Sequence, residues 1–154
     1  MEYVIREAGA ADLAHLVYHR RTMFAEMGLG DAASLDRVEE ASKKYFAQAL
    51  QHGTYKGWLA EAAGGAVIGG GGLVLACWPG YPGETLAQRA WILNMYTEPA
   101  ARGQGVAKRL LHVMIEWCRN NGFSNVSLHA SDAGRPIYES FGFQPTNEMR
   151  LKLR

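Results

Sequence analysis

The sequence predicts an α/β (α+β) domain in which a mixed, mostly antiparallel sheet is flanked by helices. Three observations predict it. Two early segments place apolar residues at helical spacing, a Gly64-Gly65 turn joins two strand-like runs in mid-chain, and an amphipathic helix follows a glycine-bearing loop directly after another strand. At 154 residues, with 48% hydrophobic and 20% charged residues, the chain fits a single domain, residues 2–154, with one core.

In chain order, Tyr3 to Arg6 reads as an edge strand. Asp12 caps a first helix whose Leu13, Leu16, Val17, Phe24 and Met27 share a face, and Gly28 ends it. After a connection over 28–33, Ser34 opens a second helix with Leu35, Val38, Ala41, Tyr45 and Phe46 on one side, stopping near Gly53. Tyr55 to Ala62 and Ala66 to Cys77 form a hairpin, and the loop from Trp78 to Gly83 leads to a strand over Arg89 to Thr97 that Pro99 closes. Gly105 to Asn121 is helical, with Val106, Leu110, Met114 and Trp117 on one face. Val126 to His129 makes a strand, Pro136 to Ser140 a short helix, and Phe143 to Leu153 a final pair of strand segments.

A net charge of +1 and no run of Lys and Arg argue against a nucleic-acid partner. The two cysteines, Cys77 and Cys118, lie far apart among apolar neighbours, which predicts buried free thiols and no metal site. No long apolar stretch suggests a membrane span or leader, so a cytoplasmic location is expected.

The most informative stretch runs from Asn94 to Ala107, joining the end of an apolar strand to the start of a helix. Within it, Arg102-Gly103-Gln104-Gly105-Val106-Ala107 lets successive backbone N–H groups turn toward one point, and the positive end of the next helix adds to them. Such a bend cradles an anion, with Arg102 or Lys108 able to supply charge-assisted contacts to a pyrophosphate. The dinucleotide fingerprint is absent, since it needs three glycines and a later acidic residue in a parallel unit. The triphosphate loop is absent too, lacking Gly-Lys-Ser or Gly-Lys-Thr. Gly69 to Gly72, set inside a strand-like run, predicts a bulge or a close backbone approach.

Arg102, Gly105 and Ala107, together with Ser131 to Phe143 downstream, resemble the GNAT (GCN5-related N-acetyltransferase) superfamily. The downstream segment matches the family's closing element, a small polar residue before a short helix bearing Tyr138, followed by Gly142-Phe143. The resemblance implies six or seven strands, about four helices and a splayed central strand pair. It implies acetyl-CoA as co-substrate, its pantetheine arm along the main chain of Met95, Tyr96 and Thr97 and its pyrophosphate on Arg102 to Lys108. Ser131 stands where the family commonly has Asn, which implies a shorter reach to the pantetheine.

The reaction implied is direct transfer to an amine, with Tyr138 protonating the departing thiolate and a main-chain N–H near Met95 stabilising the oxyanion. Neither cysteine has an evident His and acidic partner, which fits a route without an acyl-enzyme. Glu26, Asp31 and Glu148 are candidate bases, and His129 and Asn94 are candidates acting through water. The acceptor, expected to be a small-molecule primary amine, would be bordered by Arg20, Phe24, Glu26, Asp31, Trp78 and Tyr81. A peptide acceptor, or cofactor binding without turnover, are the alternatives. The family's habit of dimerising, with the apolar C-terminal segments, adds a homodimer to the expectations.

Overall fold

The computed structural model describes the whole chain, Met1 to Arg154. Its five-stranded sheet has the order β1-β2-β3-β4-β5, from β1 (Tyr3–Glu7) through β2 (Tyr55–Ala62), β3 (Val67–Cys77) and β4 (Gln88–Thr97) to β5 (Val126–Leu128). The first four strands are antiparallel, and β5 runs parallel to β4 after the crossover helix α3 (Val106–Asn120). Helices α1 (Leu13–Glu26) and α2 (Ala32–His52) cover one face, α3 covers the other, and α4 (Arg135–Ser140) follows β5.

Hydrophobic patterning explains the layers. Leu110, Leu111, Met114 and Cys118 form the buried stripe of α3 and meet Leu73, Leu75, Ala90 and Ile92 of the sheet. On the opposite face Leu16 and Val17 of α1 and Phe46 and Ala49 of α2 close on Tyr55 and Leu59. The glycine run in β3 is a requirement of close packing: a β-carbon on Gly71 would overlap Met95 Sδ, and one on Gly72 would overlap Tyr55 Oη.

One irregularity shapes everything downstream. Asn94, buried in the middle of β4, has φ +62°, and the β3–β4 register shifts across Gly70 to Gly72 opposite it. The extra residue breaks the side-chain alternation. Leu93 packs toward α1 and α2, yet Met95, two residues on, packs toward α3, while Tyr96 lies 5.0 Å from the His19 ring of α1. Asn94 is held by its amide, which donates to the Leu16 carbonyl at 3.0 Å. Pairing of β4 with β5 ends at Ile92 and Leu128, so the two strands part beyond that point.

Several expectations need correction. The sheet has five strands, because Phe143 to Leu153 forms none: no backbone group of residues 144–154 is hydrogen-bonded to another backbone group. Alternation sets which face a strand would bury, but a strand also needs a neighbour. Cys77 is exposed at the end of β3, and only Cys118 is buried, where burial pushes its thiol up to about 11. The carboxylate of Asp12 does not cap α1. It accepts the Gly9 N–H at 2.9 Å and pairs bidentately with Arg6 at 2.9 and 3.0 Å, which holds its carboxyl below the usual range. The second helix starts before Ser34, at Ala32, because Asp31 caps it by accepting the Ser34 N–H at 2.8 Å.

Candidate functional site

The parting of β4 from β5 opens a cleft of about 610 Å³ between the end of β4, the first turn of α3 and the start of α4. Pro99 breaks β4 after Thr97, a short 3-10 turn over Pro99–Ala101 reverses the chain, and Gly103 and Gly105 then adopt φ +74° and +79°. These left-handed positions favour glycine, and they bring the bend directly onto the helix start. Gly103, Gln104 and Gly105 donate their N–H groups to no acceptor in the protein. The first helical hydrogen bond runs from Arg109 to the Gly105 carbonyl, so Val106, Ala107 and Lys108 add the three unpaired donors of the first turn. Six successive donors at a helix N-terminus, with Lys108 beside them, make a site for an anion with several oxygens.

The opposite wall comes from α4. Tyr138, Ile137, Gly134, Ala133 and Ser131 line it. Burial raises the Tyr138 phenol above its ordinary value, its ring packs edge-on against Phe143 at 6.0 Å, and its hydroxyl makes no hydrogen bond in the protein. Ser131 Oγ accepts the Gly134 N–H at 3.1 Å, which closes the turn into α4.

One cleft therefore gathers Met95, Tyr96, Thr97, Arg102, Gly103, Gly105, Val106, Ala107, Lys108, Ser131 and Tyr138. Gln104 is the exception, its side-chain amide turned back to the Ala100 carbonyl at 3.3 Å. Ala101, Ala133, Gly134 and Ile137 also line the cleft, and reasoning from charge or hydrogen bonding passes over such small or apolar groups. The Arg102 guanidinium is already engaged: Nε donates to the Thr97 carbonyl at 3.0 Å and Nη2 to Glu26 at 2.6 Å. It fastens the bend to the end of β4 and to α1.

The residues expected around an acceptor lie outside that cleft and are largely occupied. Glu26 pairs with Arg102, and Asp31 caps α2. Phe24 carries the Arg20 guanidinium 4.9 Å from its ring centroid. The exposed Trp78 ring takes the Arg89 guanidinium at 4.1 Å, and Arg89 also faces Tyr81 at 5.3 Å. Asn94 is buried at the bulge. His129, one residue past β5, stacks on Trp91 at 5.1 Å, and its Nε2 meets Glu148 at 2.8 Å. That contact is the main reason the Glu148 carboxyl lies below its ordinary value, with Arg150 at 3.0 Å adding to it.

Comparison with known proteins places this arrangement. A family profile described as "Acetyltransferase (GNAT) domain" matches residues 53–145. Among curated proteins, the mouse "Probable N-acetyltransferase family 8 member 5" is 32% identical over 123 residues, covering 69% of this chain and 51% of the relative. The chain spans about half the length, or less, of the curated relatives it matches. Among solved structures, a GCN5-related N-acetyltransferase from Ralstonia eutropha superposes with a TM-score of 0.90 at 32% identity, covering 99% of both chains. A predicted acetyltransferase from Clostridium acetobutylicum, solved with acetyl-CoA, superposes at 0.88 with 27% identity, covering 99% of this chain and 96% of its own.

Proposed function

The chain belongs to the GNAT acetyltransferase family, and on that premise we propose that it transfers the acetyl group of acetyl-CoA to the primary amine of a small molecule by direct attack in a ternary complex. The observation that supports this reading best is the row of six unpaired N–H donors from Gly103 to Lys108, of which all the residues but Gln104 line the same cleft as the freed edge of β4. The donors match a diphosphate. The edge of β4 that faces away from β3, over Met95, Tyr96 and Thr97, has no strand beside it once β5 has parted, and an amide-bearing arm can run along it as a neighbouring strand would.

In this reading the side chain of Met95 stays packed toward α3 while its main chain serves the cleft. An N–H near Met95 takes the developing oxyanion, a contribution of roughly 3 kcal/mol for one well-aimed donor. Tyr138, with a free hydroxyl at the α4 wall, gives its proton to the leaving thiolate. A phenol near about 10 and a thiol near about 8.5 differ little, and burial of Tyr138 widens the gap, so a short hydrogen bond with partial transfer carries the step.

The acceptor must lose a proton first, since an alkylamine near about 10.4 is neutral only about once in a few thousand molecules at pH 7. Glu26 is tied to Arg102 and Asp31 caps α2, so this reading takes His129, oriented by Glu148 and outside the cleft lining, as a base that acts through water. A peptide amine is the competing acceptor. Incubating the protein and acetyl-CoA with amines and short peptides while following free thiol tests the proposal. Thiol release with small amines supports it, release only with peptides moves the acceptor class, and cofactor binding with no release across the panel makes the chain a binding module.

A further inference from the structure

Taking the acetyl transfer above as given, we propose that the acceptor amine also carries a carboxylate, which Arg20 binds on the α1–α2 face of the sheet. Arg20 is half-buried in the second half of α1, one turn beyond the fully buried Leu16 and on the same side of the helix. Its guanidinium lies 4.9 Å from the Phe24 ring centroid and makes no hydrogen bond or ion pair in the protein. The titratable groups that act on it are the Tyr55 and Tyr45 hydroxyls, with no carboxylate among them. Burial raises both phenols above their ordinary value, so they stay neutral at physiological pH and balance no charge. The cations nearby are already paired: Arg21 meets Asp36 at 2.9 Å and Glu39 at 3.3 Å, and Lys43 meets Glu39 at 3.2 Å and Glu40 at 3.0 Å. A partly desolvated cation without a counter-ion is unfavourable in the folded chain, and an anion brought by a ligand relieves it.

The position of Arg20 suits an acceptor. The Leu16 carbonyl, one turn or about 5.4 Å back along α1, accepts the Asn94 amide at 3.0 Å, and Asn94 directly precedes Met95 on the freed edge of β4. Tyr55 Oη and Asn94 Oδ1 are buried without a well-formed hydrogen bond, so the wedge beneath α1 is polar and not sealed by apolar packing. The base of the proposed reaction shares this face. Ala90 and Ile92 pack toward α3, so Trp91 between them faces the other way, and the His129 ring stacks on it at 5.1 Å. An acceptor held at Arg20 thus lies on the same face as His129, with the gap between β4 and β5 leading through the sheet to the thioester near Met95.

The chemistry of the site favours a carboxylate. One unpaired guanidinium balances one negative charge, and its planar fork offers two parallel N–H groups that match two carboxylate oxygens. Arg20 keeps part of its surface exposed, so a ligand reaches it in the folded protein.

Initial rates of thiol release from acetyl-CoA, with α- and β-amino acids compared with their own carboxamides, test the proposal. The carboxamide amines are the less basic, so a preference for the acids cannot come from easier deprotonation. The native protein is expected to show kcat/KM at least about 100-fold higher for an acid than for its carboxamide. In Arg20→Met that ratio is expected to fall to within about threefold, mainly through a raised KM for the acid, while Arg20→Lys, which keeps the charge, retains a preference of at least about tenfold. Melting temperature and coenzyme A affinity, measured beside the rates, are expected at the native level in Arg20→Met, because no ion pair is lost. Calorimetric titration of N-acetyl amino acids into the protein–coenzyme A complex reads the site without turnover, with binding expected in the native protein and lost in Arg20→Met. Turnover that favours carboxamides or uncharged amines leaves the transfer reaction standing and overturns the role of Arg20, and so does a carboxylate preference that survives Arg20→Met. Preference for an aminoalkyl phosphate over every carboxylate also overturns it. Coenzyme A binding with no thiol release from either series refutes the transfer reaction itself, and the absence of N-acetyl amino acid binding to the native complex then overturns the carboxylate site as well.

Discussion

Gly105 offers the sharpest separation of folding from binding, through Gly105→Ala. Its φ of +79° lies in the left-handed region, and a β-carbon there meets nothing closer than the Tyr3 hydroxyl at 4.0 Å. The fold therefore bears backbone strain without a clash, at about 1–2 kcal/mol. For a chain of this length that corresponds to a drop in melting temperature of about 2–8 °C, which leaves the protein folded at 25 °C. The new methyl group lies at the N-cap of α3, in the wall of the cleft where the unpaired donors converge. Losing one charge-assisted N–H contact to a diphosphate costs a further roughly 1.5–3 kcal/mol, or about a 10- to 150-fold rise in the Kd for coenzyme A. Calorimetric titration of both proteins with coenzyme A, and with pantetheine as a ligand without the diphosphate, isolates the effect. The penalty is expected with coenzyme A and absent with pantetheine. A folded variant that binds coenzyme A within twofold of the native protein, or loses pantetheine equally, refutes the reasoning.

Other outcomes follow from the same geometry. Tyr138→Phe is expected to lower turnover at least tenfold with little change in coenzyme A affinity, read from initial rates of thiol release beside a titration; unchanged turnover removes Tyr138 from proton transfer. His129→Ala and Glu148→Gln are each expected to reduce kcat/KM by about 10- to 100-fold near neutral pH and to recover at high pH, where the acceptor amine is already neutral. Loss that persists at high pH assigns the pair to structure instead. Burial pushes His19 down to about 4, below the ordinary value of about 6.5, so the unfolded chain binds its proton first as pH falls. Stability from this group is complete above about pH 6.5 and is lost on descending to about 4, a total of about 3 kcal/mol. His19→Leu is expected to flatten that part of the urea-midpoint profile, and an unchanged slope contradicts the assignment. The Asp12 carboxyl, held low by Arg6, and the Glu84 carboxyl, held low by the Ser124 hydroxyl and N–H, lose their contribution at lower pH, below their unfolded values of about 4, which keeps the two windows apart.

What was legible in the sequence was local. Apolar spacing marks α1, α2 and α3, Gly64-Gly65 marks the hairpin, and Pro99 with the glycines at 103 and 105 marks the bend. Each of these depends on residues within one or two turns of each other. Pairings between distant residues left no such trace. The contact between Arg102 and Glu26 joins residues 76 apart in the chain, and it changes both from free candidates into a structural clasp. Asn94 tolerates a left-handed backbone better than most residues, but only its bond to the Leu16 carbonyl explains why β4 turns there. Cys77 has apolar neighbours because it ends a buried strand, and ending the strand is what exposes it. The alternation from Met149 to Leu153 reads as a strand in any local window, but a strand also needs a neighbour, and none of β1 to β5 takes this segment up.

In the proposed reaction the main-chain donors from Gly103 to Lys108 grip a diphosphate and so set the thioester beside the freed edge of β4. A crystal structure of the protein with coenzyme A tests it most directly. Diphosphate oxygens are expected within about 3 Å of several of those nitrogens, and the thiol end near Met95 and the Tyr138 hydroxyl. A diphosphate bound away from the bend, with those six N–H groups still unpaired, contradicts it.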